Sequence, residues 1–409
     1  MGIVGEALEG MKRSPQWYSQ SAETRDKHLW TFGAWDGLRY SDNSRALYEY
    51  TLANYPDIKA VWMTKSPKVY ERLNSKGMPV ELCYSESGRA VQRKAGYFFL
   101  TKGPDDGDPL QMRGCHLIWL WHGMPLKQIG RDSMAFLRKN TLWKRVKTAI
   151  RKKIVPWQFL SGETLSTSPF FTPFLQSAFG LPADMIWEVG YPRNDHFFKT
   201  EVTERIITDL HDKFDRKDAT GKEELVKLLL YMPTHRDKAT REGHTFDPFQ
   251  QAGFDLARLE DILEEKNIVL LYKGHFFDSA NEGLKSANRI VTVTDDDYDD
   301  IYTFIKDVDI LLTDYSSVYF DFLLCRKPII LFPFDMEDYV AYSRPFYFDY
   351  SLMEGKRVYS WLELGEALSN DDYFVPSERT IRLMNTYLDN NACKRVVEKV
   401  RQQISNDKN

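Results

Sequence analysis

Short apolar runs alternate with amphipathic stretches along most of the chain. In the first half, HLWTFGAW, IKAVWMT, VELCYS, YFFLT and HLIWLW are separated by DNSRALYEYTLANY, SPKVYERLNSKG and ESGRAVQRKAG. The apolar runs read as buried strands and the intervening stretches, apolar every third or fourth residue, as surface helices. Strands alternating with helices build a parallel sheet covered by helices. The pattern is interrupted after GYPRND by the polar, helical ERIITDLHDKFDRKDATGKEEL, and then restarts with VKLLLYMP, LARLEDILEEKN, IVLLYKGH, RIVTVT, YDDIYTFIKDV, DILLTDYSS and KPIILFP. The spacing therefore predicts an α/β protein with a junction near residues 191–195 and two domains, 1–195 and 196–409. Two Rossmann-like domains facing a cleft, a GT-B-like arrangement, would set ligands at the carboxyl ends of the strands.

Size agrees with two domains, since 409 residues exceed one ordinary core. No apolar run approaches the roughly 20 residues of a membrane span. The N-terminus MGIVGEALEGMKRSPQWYSQ lacks the basic region and unbroken apolar stretch of a secretory signal. Met1-Gly2 opens like a myristoylation site, but Glu6 stands where Ser or Thr is wanted. Cys83, Cys115, Cys325 and Cys393 have no paired spacing and read as reduced thiols of a cytoplasmic protein, with no zinc site. DDDYDD at 295–300 reads as a solvated turn.

A net charge of −4 argues against nucleic acid as a partner, yet it hides a local excess. FLRKNTLWKRVKTAIRKKIVPW carries Arg138, Lys139, Lys144, Arg145, Lys147, Arg151, Lys152 and Lys153 and no acid. A helix around 133–157 would put Trp143, Val146, Ile150 and Ile154 near one face with Lys144, Lys147 and Arg151 around it. That pattern suits an anionic membrane surface, and equally an amphipathic helix packed on the sheet.

Candidate chemistry lies at the strand exits. In WLWHGMPLKQIGRD, His122 directly follows a strand, beside Gly123 and ahead of Lys127, where an imidazole can act as a general base. YKGHFFD repeats the arrangement with Lys273 and His275. A second histidine could meet a leaving phosphate, although capping a strand would be the plainer role. In YMPTHRD, Pro233 turns the chain so that Thr234 and Arg236 emerge, the latter with a fork suited to phosphate; GYPRND supplies a second arginine, Arg193. In LLTDYSSVYFDF, Ser316 and Ser317 stand at a helix start where a pyrophosphate would be favoured. Asp314 would repel that anion, so backbone amides, a sugar hydroxyl or Arg236 are its expected partners.

WHGMPLK, GYPRND, PTHRD, YKGH and TDYSSVYFDF followed by KPIILFPFD-x-x-x-Y together resemble the CDP-glycerol glycerophosphotransferase family of teichoic-acid and capsule synthesis, in order and spacing from DNSRALYEY to Arg344. Met124 stands where that family usually has Thr, and GHFF replaces a commoner His-Pro ending. The resemblance implies a GT-B-like fold, a CDP-polyol donor, a polyprenyl-diphosphate-linked saccharide acceptor and peripheral attachment to the cytoplasmic face of the membrane. It implies His122 as base, His275 near the donor phosphates, and Arg236, Ser316 and Ser317 on those phosphates, with Thr234 beside them. No cofactor is implied; a divalent cation is compatible. The expected reaction is transfer of glycerol phosphate with release of CMP, a single addition by a primase being favoured. A polymerase using CDP-ribitol or CDP-glycerol, a nucleotide-sugar glycosyltransferase and a non-catalytic scaffold are the alternatives.

Overall fold

The computed structural model describes residues 15, 17–18, 25–133, 142–199, 204–218, 220–234, 236, 246–274, 284, 287–294 and 300–406. They form two compact units. One comprises the described residues within Met1–His122, Ala135–Asp195 and Asp389–Asn409, the other those within Gly123–Met134 and His196–Leu388. The chain thus interleaves more than a single division at 195. The segment after His122 packs with the second unit, and the C-terminal helix Ala392–Asn406 packs with the first. That return has a local cause: both carboxylate oxygens of Asp195 accept the first helical amides, from Ala392 at 2.8 Å and Cys393 at 2.9 Å.

The first unit contains a seven-stranded sheet of β1 (Asp26–Gly33), β2 (Lys59–Thr64), β3 (Val80–Leu82), β4 (Ala95–Leu100), β5 (His116–Trp119), β6 (Glu163–Ser166) and β7 (Ile186–Glu188). All neighbours run parallel, in the order β3-β2-β1-β4-β5-β6-β7. Every residue of β4 is buried, as expected of a central strand covered on both faces. Gly33 pairs with Leu100 and Leu100 with Trp119, so β1, β4 and β5 end level and their exit loops emerge side by side. The chain reverses its direction of travel across the sheet between β1 and β4. That switch point is where open α/β sheets bind ligands.

Between the units' sheets in sequence, β8 (Arg216–Lys217) and β9 (Glu223–Glu224) form a short antiparallel hairpin. The helix expected through ERIITDLHDKFDRKDATGKEEL therefore stops at Phe214, and Asp218 turns the chain by accepting from the Thr220 and Lys222 amides. The second unit's sheet holds β10 (Lys227–Met232), β11 (Ile268–Tyr272), β12 (Ile290–Thr292), β13 (Ile310–Thr313), β14 (Ile329–Leu331) and β15 (Lys356–Arg357). It is parallel with the order β12-β11-β10-β13-β14-β15. Met232 pairs with Thr313 and Thr313 with Leu331, so here too the exits are level and the switch point lies between β10 and β13. Leu229, Tyr231, Leu270, Leu312, Phe332 and Trp361 belong to the core on one face of this sheet.

The basic stretch is a helix over Leu142–Ile154, with Arg151, Lys152 and Lys153 exposed in its last turn and Ile150 54% exposed. Among the described residues no helix is long and apolar enough to cross a membrane.

Candidate active site

The β5 exit is built by residues far apart in sequence. After Trp119 the chain runs through Leu120 and Trp121 to His122, with Trp121 in the left-handed region at φ 59°. A bulky residue adopts that conformation only when its surroundings impose it. Here they are visible. The Asn43 side chain, fully buried at the start of the helix Asp42–Asn54, donates to the Trp121 carbonyl at 2.9 Å and the Leu120 carbonyl at 3.4 Å. Arg193 donates through Nη1 to the His122 carbonyl at 3.1 Å and to Asp42 Oδ1 at 2.6 Å, while its backbone amide donates to Asn43 Oδ1 at 3.1 Å.

The His122 ring lies 5.2 Å from that of Trp35 and 4.2 Å from that of Trp121, and its Nδ1 is 3.5 Å from the Thr101 carbonyl oxygen. Burial pushes the imidazole pKa down to about 4, overcoming the Asp42 carboxylate and the Thr101 carbonyl, which favour the charged form. The ring is therefore neutral at physiological pH. With Nδ1–H turned to Thr101, Nε2 carries the lone pair that a base needs. Below this site, Asp106 accepts the amides of Asp36, Lys102 and Gly103 and so ties the β1 and β4 exit loops together.

In the second unit the β10 and β13 exits meet through a buried ion cluster. Asp314 Oδ1 accepts the amides of Thr234, at 2.9 Å, and of Tyr315, and its Oδ2 is 2.8 Å from Arg236 Nη2. Arg236 also donates to both oxygens of Asp335, at 2.7 and 2.9 Å, and to the Thr234 carbonyl at 2.6 Å. The rings of Phe246, Tyr315 and Tyr339 lie within 4.6 to 5.1 Å of the guanidinium. Burial opposes its charge, but the two carboxylates outweigh burial and hold its pKa above the usual value.

These contacts correct two expectations. Arg236, expected to offer a fork to donor phosphate, is 4% exposed and already forked onto Asp335 and paired with Asp314. Arg193, expected to contact donor or acceptor, is 1% exposed and bound to Asp42 and the His122 carbonyl. Buried charge must be neutralised locally, so each guanidinium is committed to the fold. Asp314 takes the backbone amides and the arginine named among its expected partners. Asp335 went unread in the sequence, although FPFD carried it; its role depends on an arginine 99 positions away.

Ser316 and Ser317 are half-buried at the start of the helix Val318–Phe322, and the Ser317 side chain makes no capping hydrogen bond. This helix is short, so the local hydroxyls and amides matter more there than a macrodipole. Gly123 stands directly against Ser317: a Cβ on it would come within 2.2 Å of Ser317 Oγ. The segment it begins is held to the second unit by a Lys127–Phe346 bridge, by the Gln128 and Tyr347 amides on the Pro345 and Leu126 carbonyls, and by Tyr347 on Asp132. Thr234 is buried beside Asp314, and the Lys273 amide donates to the Tyr231 carbonyl at 2.9 Å. His275, Arg138 and Lys139 lie outside the described residues, as do the side chains of Trp143, Lys144 and Lys147.

The profile of the CDP-Glycerol:Poly(glycerophosphate) glycerophosphotransferase family matches residues 17–402. The chain is 31% identical over 340 residues to the teichoic acid glycerol-phosphate transferase of Staphylococcus aureus, covering 80% of this chain and 79% of that protein. It is 30% identical over 355 residues to the teichoic acid poly(glycerol phosphate) polymerase of Bacillus subtilis, covering 84% of this chain and 44% of that one. The solved structure of the wall teichoic acid polymerase TagF superposes with a TM-score of 0.72 at 21% identity, over 99% of this chain and 96% of that chain, which establishes the GT-B-like fold class. The chain belongs to the CDP-glycerol:poly(glycerophosphate) glycerophosphotransferase family and is an enzyme of that family.

Proposed function

We propose that this enzyme transfers glycerol phosphate from CDP-glycerol to a hydroxyl of a polyprenyl-diphosphate-linked saccharide in teichoic-acid synthesis, adding one unit and releasing CMP. The observation that carries the site assignment is the seat of His122: it follows β5, and its ring lies against Trp35 beyond β1 and the Thr101 carbonyl beyond β4, the two strands that flank the switch point of the first sheet. Within the second unit, Gly123 rests on Ser317 beyond β13.

In this mechanism His122 Nε2 removes the proton of the acceptor hydroxyl. The alkoxide attacks the β-phosphorus, the bond to the bridging oxygen breaks, and CMP departs. Ser316, Ser317 and Thr234 donate to donor phosphate oxygens, and Lys127 and Lys273 add positive charge. His275 keeps its proposed place at the leaving phosphate. Asp314 and Arg236 act from beneath, fixing the loops that carry these groups. Phosphoryl transfer depends mainly on positioning and charge neutralisation, which such a constellation supplies.

We further propose that the helix Leu142–Ile154 holds the enzyme at the anionic cytoplasmic face of the membrane, where its acceptor resides. Its exposed Ile150, Arg151, Lys152 and Lys153 support this. The chemistry is tested by incubating purified protein with CDP-glycerol, CDP-ribitol or nucleotide sugars and a lipid-linked disaccharide, reading product mass. One added glycerol phosphate is the expected product. A ladder would mean a polymerase, ribitol phosphate a different donor, and a transferred sugar a glycosyltransferase.

A further inference from the structure

We propose that Asp42, Asn43 and Arg193 are positioning residues for the reaction: together they clamp the Leu120–His122 backbone and thereby aim the His122 imidazole. This rests on His122 being the base.

Three observations converge on the clamp. The first is hydrogen bonding: the carbonyls of Leu120, Trp121 and His122 are all taken by side chains, the first two by Asn43 and the third by Arg193. Three successive carbonyls at a strand exit would ordinarily face water or a helix, and here they face two buried donors 150 positions apart in sequence. The second is closure: Asp42 Oδ1 accepts from both the Asn43 amide, at 2.7 Å, and Arg193 Nη1, while Asn43 Oδ1 accepts the Arg193 amide. Each member is oriented by the other two, and all are at most 4% exposed. The third is strain. Trp35, Asp36, Asp42 and Trp121, on the three segments that surround His122, all adopt positive φ, between 51° and 69°. Strained backbone persists where other contacts over-determine it, and it collects at sites whose geometry matters to chemistry.

A clamp of this kind acts through the imidazole, so its removal should matter only while the imidazole is present. The test is a double-mutant cycle on the full chain, comparing wild type, Asn43→Ala, His122→Ala and the double variant by CMP release, with the thermal midpoint confirming folding. Asn43→Ala is expected to lower kcat by about 30-fold, in keeping with displacement of a reacting group, with KM for CDP-glycerol within about twofold of wild type. In the His122→Ala background the same substitution should cost less than about threefold. An equal loss in both backgrounds, or a rise in KM with kcat intact, would overturn the clamp while leaving His122 as base. Full turnover by His122→Ala would remove the base assignment and the clamp with it. Arg193→Lys, which keeps a cation but not the same reach, carries the same comparison if Asn43→Ala does not fold.

Discussion

At the scale of single residues, what a side chain already touches decides its role. Arg236 illustrates it. Held by two carboxylates and ringed by aromatics, it is a buried ion whose loss strands Asp314 and Asp335. Arg236→Gln should therefore destabilise the protein by about 3 to 5 kcal/mol, read as a lowered denaturation midpoint. A phosphate-binding arginine would instead raise KM with stability unchanged. Gly123 makes the opposite point, since a single methyl there collides with Ser317. Gly123→Ala should lower kcat by about 10- to 100-fold through displacement of the serine turn or of the neighbouring His122, with little change in thermal midpoint. His122 itself sets a pH dependence. Its folded pKa of about 4 lies below the ordinary 6.5, so the neutral, proton-accepting form prevails above about pH 5 and is lost as pH falls through 4. The acid limb of kcat/KM should accordingly lie near 4; a limb at 6.5 would mean an imidazole open to water.

Elements were legible where burial wrote a long apolar signal. The strands β1, β2, β4, β5, β10, β11 and β13 and the helices between them stand out because central strands of a parallel sheet are apolar on both faces. β6 reads ETLS, β7 IWE and β15 KR, too short or too polar to signal strand, and they form because a neighbouring edge offers backbone partners. Context overrode composition in the hairpin after Phe214 as well. For the site, the strand-exit histidine could be found by inspection, whereas the Asn43–Arg193 clamp could not. Its targets are carbonyl oxygens, which leave no mark in the sequence. The basic helix offers a prediction at this scale. Replacing exposed Arg151, Lys152 and Lys153 by Gln should weaken binding to anionic vesicles by about 3 kcal/mol, at about 1 kcal/mol per cation, in a co-sedimentation assay. Unchanged binding would return the helix to an ordinary packing role.

For the whole molecule, the two sheets obey one rule twice. Each reverses its strand order once, β1 to β4 and β10 to β13, and the groups to which chemistry is assigned leave the strands at or next to each reversal. The chain then crosses between units immediately after His122, again between the described residues Ser133 and Leu142, at Asp195 and before Asp389, so both the histidine and GYPRND lie at crossings. A division at residue 195 captures one of the four. The most direct measurement of the central claim compares CMP release from CDP-glycerol, with a lipid-linked disaccharide acceptor, by wild type and a folded His122→Ala variant. The account predicts CMP and one glycerol phosphate per acceptor from wild type, and a rate about 100- to 10,000-fold lower from the variant. Equal rates, or no CMP from the wild-type enzyme, would contradict it.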